Sequence, residues 1–235
     1  MIECMGITKK FENFVAVSEL SFTVEEGVFG LLGTNGAGKT TTIKILVTLL
    51  RPTAGTAFID GVDVVKNPME VKERIGYLPE MPVLFEHLTG REFLELIGTL
   101  RRMERKEIEE RIEEIGEMLG IVEYLDVLCS TLSKGTRQKL AFAGAIFHEP
   151  DYLFLDEPLL GMDPKYWHVA KNYIRDYGKK HIVFMSTHIT NLAEEICDTI
   201  GIIHRGRLLA CGKLSEVRGS LTLEQAFIEK IDAAG

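Results

Sequence analysis

The segment Gly33–Thr41, GTNGAGKTT, restricts the possible folds of this chain more than any other. It follows the apolar run Val28–Leu32 and opens a stretch of helical character, Thr40–Leu50, that ends before Arg51-Pro52. The segment matches the spacing G-x-x-x-x-G-K-S/T, in which glycines let backbone N–H groups surround phosphate at a helix N-terminus. A buried strand, a phosphate loop and a helix in this order predict an α/β core that binds a nucleotide.

Each residue type in this loop suits phosphate chemistry. We expect Lys39 to reach the β- and γ-phosphates and the Thr40 hydroxyl to ligate Mg²⁺. Backbone contacts to ATP are expected along the whole segment, at Gly33, Asn35, Gly36, Ala37, Gly38, Lys39, Thr40 and Thr41. The alternative is a glycine-rich turn that precedes Lys-Thr by coincidence, and the flanking strand and helix argue against it.

A second segment carries complementary chemistry. The apolar run Tyr152–Leu155 ends in Asp156-Glu157-Pro158, and a buried strand that ends in two carboxylates favours a cation at its tip. We expect Asp156 to bind Mg²⁺ and Glu157 to act as general base on the attacking water. A polar exit from a strand is the alternative. Together the two segments predict a nucleoside triphosphatase.

The rest of the chain shows three kinds of pattern. Strand-like runs separated by turns fill residues 1–32, helical patterns dominate residues 86–147, and strands alternate with helices after Pro150. We predict an α/β fold, a P-loop NTPase core with a mainly parallel sheet, an N-terminal antiparallel β subdomain and an inserted helical subdomain. We expect the chain to be a single domain, residues 1–235. Its core is expected at about 1–85 and 148–220, the helical subdomain at about 86–147 and a C-terminal helix at about 221–235.

Composition excludes several other classes. A formal net charge of −8 argues against a surface for nucleic acid, because such surfaces are basic. The four cysteines are scattered without a C-x-x-C pair, which argues against disulfides and zinc and favours a reducing compartment. We see neither a signal peptide nor an apolar run long enough for a membrane helix, so we expect a soluble chain.

Further motifs stand in a fixed order around these two segments. They are Ile75–Glu80 (IGYLPE), Leu132–Thr136 (LSKGT), Leu160–Asp163 (LGMD) and Ser186–His188 (STH), with Phe11 near the N-terminus. With these motifs in this order, the chain resembles the ATP-binding subunit of an ABC transporter over nearly its whole length. LSKGT is similar to that family's signature, usually written LSGGQ. The LSKG and LPE forms and the tail LTLEQAF resemble the exporter-like drug, antibiotic or polysaccharide group.

The resemblance implies how the motifs act together. Two subunits form a head-to-tail dimer, a homodimer if both sites are complete. Each ATP is then bound by one phosphate loop and covered by Ser133 and Gly135 of the other subunit. Asp163 crosses that interface. An integral membrane permease is the further partner, which holds the chain at the cytoplasmic face of the membrane and exports a substance when ATP is hydrolysed.

The resemblance also assigns roles around the nucleotide. Lys39, Glu157 and His188 are implied to be catalytic, with His188 at the γ-phosphate. Phe11 falls where an aromatic ring stacks on adenine, although Phe14 is an alternative. Glu80 stands where glutamine is usual, and its carboxylate can still approach Mg²⁺.

Two residues of the signature depart from the family pattern. Lys134 replaces a glycine and Thr136 replaces the glutamine. Physical reasoning nevertheless agrees with the resemblance at Ser133, because a serine that caps a helix beginning near Lys134 leaves N–H groups and a positive helix end for an anion. We therefore expect the signature to function.

Two other kinds of protein remain open on the sequence. One is a soluble ATPase of the same superfamily, for example in iron–sulfur assembly, which the length permits. The other is a regulator that binds ATP without hydrolysing it, which Glu80 favours and Glu157 opposes.

Overall fold

The computed structural model describes residues 1–159 and 164–234, which form two sheets with helices packed around them. The strands are β1 Ile2–Phe11, β2 Phe14–Val24, β3 Val28–Leu32, β4 Ala54–Ile59, β5 Val62–Asp63, β6 Ile75–Leu78, β7 Tyr152–Asp156, β8 Ile182–Thr187, β9 Thr199–His204 and β10 Arg207–Lys213. The helices are α1 Lys39–Leu46, α2 Pro68–Arg74, α3 Gly90–Leu100, α4 Arg105–Leu119, α5 Lys134–Ile146, α6 Pro164–Gly178, α7 Thr190–Ile196, α8 Leu214–Arg218 and α9 Leu223–Ala233.

The two sheets differ in strand direction. The smaller sheet has the order β2-β1-β4-β5 and is antiparallel throughout. The larger sheet has the order β10-β9-β3-β8-β7-β6, and its strands are parallel except β10, which pairs antiparallel with β9. The predicted fold class, with a mainly parallel sheet and an N-terminal antiparallel sheet, is confirmed.

The central strands of the parallel sheet are buried on both faces, as their apolar sequences predict. Every residue of β3, β7 and β8 is buried. The Phe29 ring stacks on Phe184 at 4.9 Å between centroids and on Phe22 of the antiparallel sheet at 5.2 Å. Burial of one such ring stabilises the fold by about 1.5–3 kcal/mol, so the aromatic stack joins the two sheets firmly.

The helical segment between β6 and β7 differs in detail from the predicted pattern. Apolar spacing over Arg101–Leu119 predicts a helix that includes Met103, but α3 ends at Leu100 and α4 begins at Arg105. The Arg101 guanidinium donates to the carbonyl oxygens of Lys72 (2.6 Å) and Ile75 (2.9 Å). These contacts, formed across the fold, stabilise a turn that local spacing does not reveal.

Two other details differ from what the sequence predicts. The motif Ile75–Glu80 falls where the family has a loop, but its first four residues, Ile75–Leu78, are the strand β6, because pairing with β7 completes their backbone hydrogen bonds. Helix α1 ends at Leu46 and not at Leu50, and Thr48 adopts a left-handed φ of 64° that a continuing helix does not permit. Within residues 1–159 and 164–234, every helix is too short or too polar to cross a bilayer.

Close packing between β6 and α5 gives a test of the fold. A Cβ added to Gly76 would lie 2.0 Å from the Ala145 carbonyl oxygen, so backbone would have to move. We expect Gly76→Ala to lower the free energy of unfolding in urea by about 1–3 kcal/mol, the usual cost of overpacking. Gly212→Ala is the control, because its Cβ would meet the flexible end of Glu216 at 3.1 Å and make an ordinary contact of 3.8 Å with Val217. Equal stabilities for the two variants would contradict this packing.

Candidate functional site

The loop between β3 and α1 is shaped by glycines. Gly36 and Gly38 adopt φ of 76° and 109°, which residues with a Cβ rarely adopt. A Cβ on Gly33 would lie 2.6 Å from the Ile203 carbonyl oxygen. The loop therefore closes tightly onto α1, whose N-cap is Gly38 and has no side chain to occupy the first N–H groups of the helix. These N–H groups are donors suited to phosphate.

The other residues of this loop that were predicted to contact ATP differ in how exposed they are. Asn35 and Gly36 are exposed at its crest, whereas Ala37 is buried. Thr40 and Thr41 are half-buried in the first turn of α1.

Lys39, the first residue of α1, is buried, and its ammonium group lies among oxygen atoms. Nζ donates to the carbonyl oxygens of Gly33 (2.8 Å) and Thr34 (3.2 Å) and lies 3.3 Å from Glu157 Oε1. The ion pair with Glu157 compensates two charges that would each be costly to bury alone. The lysine of one predicted segment thus meets the glutamate of the other.

Glu157 also contacts the predicted histidine. His188 Nδ1 lies 3.0 Å from the same Oε1, and His188 follows β8 directly. Glu157 has a left-handed φ of 50°, a conformation that is unfavourable for a glutamate and often found at functional sites. The structure therefore brings Lys39, Glu157 and His188 together around one carboxylate oxygen.

Asp156 is fully buried at the last position of β7. Its Oδ1 accepts a hydrogen bond of 2.5 Å from Ser186, the residue opposite it on β8. Burial raises the pKa of Asp156, the Ser186 and Thr40 hydroxyls lower it, and the carboxylates of Glu80 and Glu157 raise it again. Thr40 and Glu80, the other predicted metal ligands, are thus near enough to influence this carboxylate.

These residues fit a magnesium ion. Asp156 Oδ2 is buried and has no hydrogen-bond partner in the described part of the chain. A buried carboxylate oxygen without a partner is unfavourable, and a cation relieves the cost. The Thr40 hydroxyl and the Glu80 carboxylate are oxygen donors of the kind that Mg²⁺ prefers. Glu80 is exposed and follows β6 by two residues.

Ser133 caps α5, as predicted. Its hydroxyl accepts a hydrogen bond of 3.1 Å from the Thr136 N–H, and the two hydroxyl oxygens lie 2.8 Å apart. Ser133 and Lys134 are exposed and Gly135 is half-buried. In the described residues no hydrogen bond joins this segment to the phosphate loop of the same chain.

Phe11 and Phe14 face each other across the turn between β1 and β2. Their rings stack with centroids 5.4 Å apart, and Lys9 Nζ lies 5.1 Å from the Phe11 centroid. Both rings are exposed, so the structure leaves both available for a base. Asp163 and the rest of LGMD lie outside the described residues.

Sequence reasoning missed two residues beside this site. Ser186 belongs to STH but received no role, although its position two residues before His188 places it next to Asp156 once β7 and β8 pair. Tyr77 has a buried hydroxyl without a hydrogen-bond partner in the described residues, and burial and the charge of Asp156 raise its pKa. No local signal distinguishes Tyr77 from an ordinary strand residue.

Comparison with known proteins identifies the family. Residues 17–160 match the family model described as ABC transporter. The ABC transporter ATP-binding protein NatA of Bacillus subtilis is 36% identical over 241 residues, which cover 98% of each chain. The daunorubicin/doxorubicin resistance ATP-binding protein DrrA of Streptomyces peucetius is 38% identical over 225 residues, which cover 94% of this chain and 67% of DrrA.

Solved structures agree with the sequence relatives. An ATP-binding subunit of an ABC transporter superimposes with a TM-score of 0.92 at 30% identity, over 98% of this chain and 99% of the other. The cassette MJ0796, solved as a dimer bound to ADP and phosphate, has a TM-score of 0.81 at 24% identity, over 91% and 99%, and supports the fold alone. The chain belongs to the ABC transporter family as an ATP-binding protein.

Proposed function

We propose that this chain is the ATP-hydrolysing subunit of an exporter, which dimerises around ATP and drives a separate membrane subunit. The observation that carries the proposal is that Lys39 and His188 both contact Oε1 of the buried Glu157 carboxylate. The neighbouring residue, Asp156, has a buried oxygen without a partner in the described residues. Such a constellation combines a cation, a base and a metal ligand, which are the groups that hydrolysis of a phosphoanhydride requires.

In this mechanism Glu157 is the general base. It accepts a proton from water as the water oxygen attacks the γ-phosphorus and the bond to the β–γ bridging oxygen breaks, which yields ADP and phosphate. His188, held at 3.0 Å from Glu157, orients the carboxylate and contacts the γ-phosphate. Lys39 balances the charge that develops on the phosphate oxygens, since its ammonium group already lies among oxygen acceptors.

Mg²⁺ would be held by Asp156, Thr40 and Glu80, and when bound it neutralises charge on the β- and γ-phosphates. The phosphates themselves contact the backbone N–H groups between Gly33 and Thr41. Phe11 stacks on the adenine, and the stacked ring of Phe14 supports it at 5.4 Å.

The second half of each ATP site comes from a partner copy of this chain. Helix α5 has no acidic residue in its first turn, so the positive end of its dipole at exposed Ser133 is not compensated locally. Among the described residues, a Cβ on Gly135 would meet only the Ser133 hydroxyl, at 4.0 Å, so packing against them does not require this glycine. A trans phosphate that approaches closely does require it. We further propose, from the resemblance, that Asp163 crosses the interface.

A groove between β6, the segment that follows it and α3 suits the membrane subunit. We call it the docking groove. It has a volume of about 860 Å³, and the proposed helical subdomain, residues 86–147, forms one wall. Its apolar lining includes Leu49, Met69, Val83 and Leu100, all strongly exposed. Its charged lining is Lys72, Glu73, Arg101 and Arg102, so cations outnumber carboxylates.

An exposed apolar surface of this kind marks an interaction site. The occupant that we propose is a short cytoplasmic helix of the permease with an apolar face and an acidic residue, which complements the cations. The groove continues into the segment that carries Glu80, so docking and nucleotide binding share one element. Docking there would hold the chain at the cytoplasmic face of the membrane, and the likeness to DrrA, which is named for drug resistance, supports export.

The role of Glu157 is tested by Glu157→Gln. We expect ATP hydrolysis to fall by about 10²- to 10⁴-fold, because the amide cannot accept the proton, while ATP binding persists. The variant should also accumulate as an ATP-dependent dimer in size-exclusion chromatography. Glu229→Gln, at an exposed glutamate on α9, is the control and should behave like the wild type. A regulator that does not hydrolyse ATP would dimerise equally with either residue at position 157.

The trans role of the signature is tested by Ser133→Arg. The side chain is exposed, so we expect ATP affinity of the isolated subunit to be unchanged and the hydrolysis rate to fall at least about tenfold, as the arginine blocks closure of the dimer. Ser215→Arg, at an exposed serine of α8, provides the matched control. Unaltered hydrolysis by Ser133→Arg would show that this segment does not contribute to the site.

The docking groove is tested by Val83→Asp. Val83 is 86% exposed, so the substitution should leave folding and basal ATPase activity intact. We expect it to abolish co-purification of an integral membrane protein with the tagged chain from native membranes, because a charge is placed in the apolar contact. Ile228→Asp, at an exposed apolar residue of α9, should retain the partner. Recovery of soluble partners alone with the wild-type chain would contradict the transport function.

A further inference from the structure

Ser186 links the two carboxylate residues of the site through one hydroxyl group. It is fully buried near the end of β8, in register with Asp156. Its Oγ donates to Asp156 Oδ1 and accepts a hydrogen bond from the Glu157 N–H at 3.1 Å. We propose that Ser186 is a positioning residue: through these two hydrogen bonds it fixes the orientation of the Asp156 carboxylate, which would bind the metal, and of Glu157, the general base. This inference rests on the proposed function.

The bond to Asp156 determines which carboxylate oxygen is free. A hydroxyl has a single hydrogen, and the 2.5 Å contact commits that hydrogen of Ser186 to Oδ1. Because one oxygen is held, the rotation of the carboxylate about its Cβ–Cγ bond is restricted, and the position of Oδ2 is set as well. Oδ2 is the buried oxygen without a partner in the described residues, and we assign it to Mg²⁺. Ser186 thus acts on the metal through Asp156 without touching it.

The bond from Glu157 stabilises an unfavourable backbone conformation. The left-handed φ of 50° costs a glutamate about 1–2 kcal/mol, and tertiary contacts must offset this cost. The Glu157 N–H donates to both the hydroxyl and the carbonyl oxygen of Ser186, at 3.1 and 3.2 Å. The turn held in this way directs the Glu157 carboxylate to within 3.3 Å of Lys39 and 3.0 Å of His188.

The arrangement makes β8 the common support of three catalytic functions. Ser186 holds the metal ligand and the base, and His188, two residues later, contacts the same base. If the hydroxyl is lost, Asp156 Oδ1 loses the 2.5 Å hydrogen bond from Ser186, while the Glu157 N–H keeps its bond to the Ser186 carbonyl oxygen. We therefore expect loss of the hydroxyl to weaken Mg²⁺ binding more than it disturbs the position of Glu157.

The experiment compares Ser186→Val with Ser186→Thr, which have the same shape and differ in the hydroxyl. The affinity for the non-hydrolysable imido analogue of ATP is measured by calorimetry, once with EDTA and once with Mg²⁺. We expect all chains to bind equally in EDTA. Mg²⁺ should strengthen binding by the wild type and Ser186→Thr, and this strengthening should be at least about tenfold smaller in Ser186→Val, as for other residues that orient metal ligands.

Two results would overturn the proposal. In one, Ser186→Val responds to Mg²⁺ like the wild type, so the hydroxyl has no influence on the metal. In the other, Ser186→Val loses as much affinity for the analogue in EDTA as it does in Mg²⁺, so the hydroxyl supports the fold in general and not the metal site. Ser186→Ala, which adds no volume, serves in the same comparison if Val does not fold, as judged by urea unfolding. A wild-type chain that fails to bind the analogue would contradict the proposed function instead.

Discussion

The position of β8 between β3 and β7 is the constraint on which the site depends. Parallel pairing places the carboxyl ends of the three strands at the same edge of the sheet, in a register that sets Leu32 opposite Thr187 and Asp156 opposite Ser186. The phosphate loop leaves one strand at this edge and the two carboxylates leave another. Crossover connections between parallel strands bring ligand groups to such edges in general. Here that geometry joins residues more than a hundred positions apart in sequence.

The distribution of charge at this edge explains why the site needs its ligands. Asp156, Glu157 and Lys39 are all buried, so two carboxylates share a single buried ammonium group within this set. Lys39 pairs with Glu157, and Asp156 accepts one hydrogen bond from Ser186 at Oδ1, while its Oδ2 has no partner in residues 1–159 and 164–234. Burying a carboxylate without a partner is costly, and in the proposed function Mg²⁺ would supply the missing positive charge. The phosphates of ATP would then be held by the N–H groups of the loop.

Sequence reasoning succeeded where a function requires particular residues within a short segment. The phosphate loop, the strand before Asp156 and the cap at Ser133 were all predicted from local pattern, and the structure places each of them as a strand, loop or helix start accordingly. It failed where an element depends on a distant partner. Strand β6 is short and contains Gly76, so only its pairing with β7 makes it a strand. The break at Arg101 likewise depends on carbonyl groups near α2.

The sequence alone determined the family resemblance and the phosphate loop, and it predicted the roles of Asp156, Glu157 and Lys39, because residue types and spacing of this kind suit phosphate chemistry. Tertiary structure decided which of these groups meet: that Lys39 and His188 share one oxygen of Glu157, that Ser186 joins Asp156 to Glu157, and that β6 and α3 border a groove. The physical reason is that hydrogen bonds and ion pairs depend on distances across the sheet. Those distances are set by strand order and register, which no short segment encodes.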